Sequence, residues 1–362
     1  MADALSIMMV RSLEKRYRPG MMEWHYEHGL ALYASLVASS LHNDESVYPW
    51  VYSMYSPLIT EDGDIVTYRK GEYNLDQINA GRALFTLYDR SGEERFAKAS
   101  DLLFEQLETQ PRCKCGVYWH KEIYPWQIWL DGVYMEGPFK AEYALRHHDA
   151  SSLCDIVKQC LIVFKTMRDE RTGLLYHGYD ESRGMKWSND ITGLSPHFWS
   201  RAIGWYLMAL IDILDYLPSE QKDRDELVVV IQKLAKSVLD FQSESGMWYQ
   251  VTDEGGRYGN YLETSASSMF AYSFLKGARL GYLDSSYIAP GLKAVEDIKK
   301  RYLTEADDGL HLAGICSVSG LGGNPYRDGS FKYYVSEAKR LDDFKGVGSF
   351  ILACTESERV LW

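Results

Sequence analysis

The sequence predicts an all-α protein, an (α/α)6 barrel in which six helical hairpins close into a toroid. Two observations carry this expectation. Apolar residues recur at helical spacing along nearly the whole chain, and a glycine-marked loop returns five times at intervals too long for common short helical repeats.

The helical segments come first. Leu30, Tyr33, Ala34, Val37 and Leu41 fall on one helical face. Leu153, Ile156, Val157, Cys160, Leu161 and Phe164 form another, as do Tyr206, Ala209, Leu210, Ile213, Leu214 and Leu217. A fourth such face runs through Leu227, Val228, Ile231, Leu234, Ala235, Val238 and Leu239. Further helices are expected over Phe96 to Leu107, Ala271 to Ala278 and Val347 to Cys354. Pro218 and Gly92 punctuate the pattern. Alternating, strand-like runs are scarce, and Gly309 to Tyr326 reads as a loop because it is uncharged and rich in Gly and Ser.

The loops carry the repeat. Gly116-Val-Tyr-Trp-His, Gly173-Leu-Leu-Tyr-His and Gly246-Met-Trp-Tyr-Gln share a glycine, an apolar residue, then aromatic and polar residues; Gly309 and Gly63 head weaker copies. From Gly63 onward the glycines lie 53, 57, 73 and 63 residues apart, room for two helices and two loops. An open solenoid needs polar outer faces on its end repeats. Here the last helix is apolar at Val347, Phe350, Ile351 and Cys354, and the first is equally apolar, so each needs a partner. Closure follows, with the aromatic loops gathered at one end. No linker divides the chain, so residues 1–362 read as one barrel domain with residues 1–20 as a lead-in.

Composition narrows the function. The net charge is −12, against the clustered cations of a nucleic-acid groove or a polybasic membrane patch. No apolar stretch has the length of a membrane span, and the N-terminus lacks the pattern of a signal peptide, so a cytoplasmic location is expected. Ten Trp, 27 Tyr and 12 Phe hint at an aromatic-lined cleft, though a Tyr-rich core would give the same count. Cys113 and Cys115 are too close for a CxxC zinc or redox pair, and Cys154 and Cys160 read as small core residues. HExxH, Walker A, GxSxG and GxGxxG motifs are absent. No metal and no cofactor are expected.

Three clusters could carry chemistry. Tyr118 to Tyr134 holds Trp119, His120, Lys121, Tyr124, Trp126, Trp129 and Asp131. Asp131 could simply cap a helix beginning near Gly132. Yet Lys121 beside Trp129 offers a cation and a flat apolar plate, which suit a sugar bearing a carboxylate. The second cluster includes His177, Asp180, Trp187, Asp190, Arg201 and Trp205; Arg201 and Trp205, four apart, project from one side of a helix start. They could equally be a structural Arg–Trp pair, and His177 a satisfied loop histidine. Asp76, in Tyr73-Asn-Leu-Asp-Gln-Ile-Asn, is the third element and could also be a cap.

The motifs Trp129-Leu-Asp-Gly-Val-Tyr-Met-Glu-Gly-Pro-Phe, Gly173-Leu-Leu-Tyr-His-Gly-Tyr-Asp, Ser195-Pro-His-Phe-Trp-Ser-Arg-Ala-Ile-Gly-Trp and Gly320-Leu-Gly-Gly-Asn-Pro-Tyr-Arg-Asp-Gly-Ser resemble those of the unsaturated rhamnogalacturonyl hydrolases, glycoside hydrolase family 105. The resemblance runs from about Trp24 to the C-terminus. It implies an (α/α)6 barrel acting on lyase-generated oligosaccharides that end in a 4,5-unsaturated uronic acid. The family hydrates the C4=C5 enol ether, and the resulting hemiketal opens and expels the neighbouring sugar. Ordinary glycosidases instead flank the glycosidic bond with two carboxylates.

By motif match Asp131 is the proton donor. A partly neutral carboxyl is expected there, through burial among Trp126, Trp129 and Tyr134 or through the nearby charge of Asp76. Asp76, His120, Lys121, Trp129, His177, Arg201 and Trp205 match substrate-binding positions. Relatives more often carry Gly than Ser at position 200, which bears on substrate choice. The implied partner is an unsaturated oligosaccharide, with the oligomeric state open, a homodimer included. The competing readings are an unsaturated glucuronyl hydrolase acting on other lyase products and a non-catalytic sugar-binding toroid.

Overall fold

The computed structural model describes residues 4–361. In chain order the hairpins are α1 (Leu5–Arg16) with α2 (Tyr26–His42), α3 (Val47–Tyr55) with α4 (Arg82–Ser91), and α5 (Glu94–Thr109) with α6 (Leu130–Arg146). They continue as α7 (Ala150–Met167) with α8 (Ser200–Ile213), α9 (Arg224–Leu239) with α10 (Thr264–Arg279), and α11 (Ile288–Tyr302). A short α12 (Phe331–Ser336) precedes α13 (Phe344–Leu361), the partner of α11. The first helix of each pair lies in an outer ring and the second in an inner one. The segment expected to lead into the barrel thus supplies its first outer helix.

Burial separates the rings. All fourteen residues of α8 are buried, whereas α11 buries only Gly291, Ala294, Val295 and Ile298. A helix surrounded by protein has no solvent face to keep polar; one lying on the outside needs a single apolar stripe. Small residues let the inner helices approach. Ser265, Ser267, Ser268 and Ser273 of α10 are all fully buried, and the Ser268 hydroxyl is satisfied by donating to Thr264 O at 2.8 Å. The inner ring closes where α13 packs against both α10 and α2.

The repeated glycines are the outer-to-inner connections, which all turn at one rim. Gly173 has φ +74°, and a Cβ there would strike Ser237 of the neighbouring outer helix α9. Gly309, at φ +120°, would strike Ser12 of α1. The last turn therefore leans on the first outer helix, the same step that Gly173 makes on α9. A side chain at either position would be both strained and obstructed.

Three small antiparallel ribbons decorate the loops: β1 (Gln127–Trp129) with β2 (Gly178–Asp180), β3 (Leu303–Ala306) with β4 (Gly309–Leu312), and β5 (Ile315–Cys316) with β6 (Lys339–Arg340). Two expectations are corrected. The stretch from Gly309 is not simply a loop, since it contributes β4 and β5; Leu310 and Leu312 alternate inward against the rim. Cys154 is exposed, one position off the buried stripe of α7 that holds Leu153, while Cys160 is buried as expected.

Candidate active site

The site lies at the mouth of the barrel, where the inner helices begin. The β1–β2 ribbon sets its geometry. Trp129 pairs with Gly178, and the Leu130 amide donates to His177 O at 3.1 Å, so the residues on either side face each other. Asp131 Oδ2 thereby comes 3.5 Å from His177 Nε2. The helix α6 starts at Leu130 and no side chain caps it. Asp131 is therefore not an N-cap. It sits in the first turn, where the helix N-terminus favours negative charge.

The opposite wall is built by a second backbone clasp. The Leu75 amide donates to His120 O at 3.2 Å, which brings Asp76 beside the His120–Lys121 pair. Asp76 lies in a one-turn 3-10 segment whose cap is Asn74, so Asp76 is no cap either. Its Oδ2 meets Lys121 Nζ at 2.5 Å and its Oδ1 lies 3.4 Å from His120 Nε2. Burial alone would push the Asp76 carboxyl up, but Lys121 and His120 hold it well below the usual carboxylate range. Burial also pulls His120 down to about 4, which leaves it neutral at physiological pH despite Asp76.

Trp129 is buried, with its ring stacked on His120 (centroids 4.8 Å apart) and on Tyr124 (4.9 Å). Trp187 and Leu321 pack against it, so the C-terminal loop closes over this side. On the far side Arg201 opens α8. Its guanidinium donates to Cys316 O at 2.5 Å and Ser265 Oγ at 3.3 Å, and lies over the Trp199 ring. Burial works against its charge, yet Cys316 and Glu263 hold its pKa above the ordinary arginine value. Trp205 is 1% exposed and stacks on Tyr134 at 4.8 Å, with its edge toward Tyr26. Ser200 turns away from the mouth: its hydroxyl donates to Tyr249 O at 2.5 Å and meets Thr252 Oγ1 at 2.7 Å.

The eight residues matched to catalytic and binding positions thus sit at or just below one mouth. The reading missed others. Tyr334 reaches in from α12, 157 positions away, and its hydroxyl lies 2.8 Å from His177 Nδ1. Tyr26, the first residue of α2, is half-buried where the fields of Asp76, Asp131 and Arg201 meet. Glu263 caps α10 and accepts from the Cys316 amide at 2.9 Å. Nothing local marks these residues, because each is brought in by a different hairpin. Polar atoms here that are buried without a hydrogen-bond partner include Asp131 Oδ2, His177 Nε2, His120 Nδ1, Arg201 Nε and Trp187 Nε1. Such atoms are costly unless something else satisfies them.

The model of Glycosyl Hydrolase Family 88 matches residues 4–361. The chain belongs to that family. It is also similar to the solved C. acetobutylicum glycoside hydrolase from family 105, at 42% identity and TM-score 0.95, covering 99% of this chain and all of that one. That likeness places it among the family 105 enzymes as well. "Protein Atu3128" of Agrobacterium fabrum is 39% identical over 227 residues, which are 61% of this chain and 97% of that protein. The unsaturated 3S-rhamnoglycuronyl hydrolase of Formosa agariphila is 23% identical over 63% of this chain and 56% of its own length. This family 88/105 glycoside hydrolase keeps the six-hairpin toroid expected from its loop spacing. Among its described residues no helix is long and apolar enough to cross a membrane.

Proposed function

We propose that this glycoside hydrolase is a single catalytic unit that removes the terminal 4,5-unsaturated galacturonyl residue from rhamnogalacturonan-derived oligosaccharides in the cytoplasm. The observation that carries the reading is the unpartnered pair, Asp131 Oδ2 facing His177 Nε2 at 3.5 Å in a buried mouth. The other carboxylate of the mouth, Asp76, is committed to Lys121 and held ionised, which leaves one carboxyl free to transfer a proton and fits hydration better than direct cleavage by two.

In this scheme Asp131 gives its proton to C4, and the positive charge that develops at C5 is shared with the ring oxygen. Water adds to C5, passing a proton back to Asp131, and the hemiketal so formed opens and releases the neighbouring sugar. Arg201 offers charge to the uronate carboxylate, while His177 and His120 hold hydroxyl groups. Asp76 and Lys121 act as an ion pair that keeps the His120 wall in place, and Trp129 and Trp205 shape the floor. The relative named for unsaturated rhamnoglycuronyl hydrolysis supports the class of substrate.

The test is a reaction in D2O on purified unsaturated disaccharides, followed by loss of the enol-ether absorbance. Hydration places solvent deuterium at C4 of the released uronate. A product without that deuterium removes the mechanism. Faster turnover on unsaturated disaccharides with another linkage and a leaving sugar other than rhamnose removes the proposed substrate while leaving the chemistry intact.

A further inference from the structure

Away from the mouth, the Cys113–Cys115 pair set aside on its spacing has a third partner. The chain turns tightly here: the Gly116 amide donates to Cys113 O and the Cys113 amide to Val117 O, both at 2.9 Å. Gly116 takes φ +98° to allow it. The turn brings both thiols to one side, and Glu181, just past β2, meets them there. The Cys113 and Cys115 sulfurs and a Glu181 carboxylate oxygen all lie within 4.8 Å of one another. The carboxylate is oriented by two backbone donors, Lys114 N–H to Oε2 at 2.8 Å and Cys115 N–H to Oε1 at 3.1 Å. Those bonds use one lone pair on each oxygen and leave others free. Both cysteines are free thiols; Cys113 is buried, while Cys115 and Glu181 are half-buried, which leaves a path from solvent.

We propose that Cys113, Cys115 and Glu181 form a binding site for one thiophilic divalent cation of the zinc type. Two sulfurs and one carboxylate oxygen are the donor set that selects zinc or cadmium over magnesium or calcium. Zinc–sulfur bonds are about 2.3 Å long, so donors in a tetrahedral shell stand less than about 4 Å apart. The observed cluster needs to contract by no more than about an ångström to reach that shell. Water fills the fourth position on the open side. On binding, each thiol releases its proton to solvent and its sulfur donates a lone pair; nothing is oxidised. The hydrogen bonds of Glu181 explain its own placement, but not why two thiols flank it.

The position gives the site a purpose. The Glu181 amide also donates to Trp126 O at 3.0 Å, and the adjoining Asp180 pairs with Gln127. A bound cation would therefore pin the 113–116 turn to the ribbon that carries Trp129 and follows His177. It would act as a clamp on the loops and take no part in the reaction.

Cadmium titration of the reduced full-length chain tests this, read by the ultraviolet thiolate-to-cadmium charge-transfer band and by proton release. The expected result is one ion and two protons per chain. Cys115→Ser abolishes the band, whereas Cys154→Ser, which removes the exposed thiol of α7, keeps it. Glu181→Gln weakens binding by at least roughly 10–100-fold, since removing a ligand costs no less than removing a group that only orients one. Turnover of Cys115→Ser stays near wild type, and added zinc raises the Tm of wild type but not of this variant. No band in the reduced chain, or a band that survives Cys115→Ser, overturns the site.

Discussion

Two polar clusters occupy the same barrel and are built on opposite principles. At the mouth, Asp131, His177, His120 and Arg201 each leave a buried atom without a hydrogen-bond partner. Deeper, Asp212 of α8 is surrounded by partners: Oδ1 accepts from Tyr272 at 2.6 Å and Lys276 at 2.7 Å, and Oδ2 lies 3.0 Å from Arg82. Arg82 in turn donates to Tyr134 and Tyr33, both at 2.9 Å. Burial alone would raise the Asp212 carboxyl, but Lys276 and Arg82 hold it below its usual range. The deep cluster ties α2, α4, α6, α8 and α10 together through opposite charges in contact, although Asp212 Oδ2 and Arg82 Nε make no hydrogen bond of their own. The mouth is complete only when a substrate supplies the missing bonds. The difference teaches that burial of charge does not mark function here; a buried charge with no opposite charge in contact, as at Arg201, does.

The sharpest way to break this comparison is one substitution in each cluster. Asp131→Asn keeps shape and hydrogen-bonding capacity but cannot protonate C4. Its kcat should fall by roughly 10²–10⁴-fold, with KM little changed, the mark of a group that acts in the transition state. Its thermal midpoint should hold or rise, since the mouth is not where stability resides. Asp212→Asn should do the reverse. Leaving Lys276 and Arg82 without their buried counter-charge costs about 3–5 kcal/mol, read as a lower urea midpoint, while turnover per folded molecule stays close to wild type. A variant of Asp131 that unfolds, or one of Asp212 that folds well and is inactive, would exchange the two roles.

Glu136 sharpens the rule, because it looks like an exception. It is buried on α6 facing α7, and its Oε2 has no hydrogen-bond partner. Burial, with Asp155 nearby and only partly offset by Lys140, pushes its pKa up from 4.5 to about 8. The side chain therefore escapes the cost by keeping its proton. Because the native state holds this proton and the unfolded chain does not, stability is full below pH 4.5 and is lost as pH rises to about 8. The slope is on the order of 1 kcal/mol per pH unit. Glu136→Gln should flatten that slope in urea melts across the window and leave kcat untouched. An unchanged slope would show that Glu136 is ionised and that the exception is real.

How much of this was legible before the structure depends on the distance between partners. The toroid was readable because helical faces and glycine turns are local patterns, and Gly309 against α1 even carries the closure. Asp131, His177 and Arg201 stood out because each lies in, or one turn past, an aromatic loop that leads into an inner helix. The ends of elements were less legible: Asp131 taken alone read as a cap, and the structure removes that reading because the helix starts at Leu130. Contacts across hairpins left no trace. The Asp212–Arg82–Lys276 cluster draws on three inner helices, and Glu181 joins Cys115 from 66 residues away. Periodicity marks each of these positions as buried and is silent about which buried groups meet.

Tyr334 is the mouth residue that no pattern announced, and it carries the smallest predicted effect. Its hydroxyl lies 2.8 Å from His177 Nδ1, on the side of the ring away from Asp131. Burial pushes its pKa far up, so the hydroxyl stays neutral and can either donate or accept. If it donates, Nδ1 is the bare nitrogen and the proton sits on Nε2, facing Asp131; if it accepts, Nε2 presents a lone pair instead. Either way one tautomer is fixed while the Nε2 side waits for substrate. Tyr334→Phe removes that control but keeps the ring that packs against Trp199 at 6.1 Å. The expected loss is about 1 kcal/mol in kcat/KM, the net worth of one such bond. Nitrogen-15 NMR of His177 should report a mixed tautomer in the variant and a single one in wild type. A single, unchanged tautomer in Tyr334→Phe would mean that Asp131 or the backbone sets the ring, and would move Tyr334 from positioning to packing.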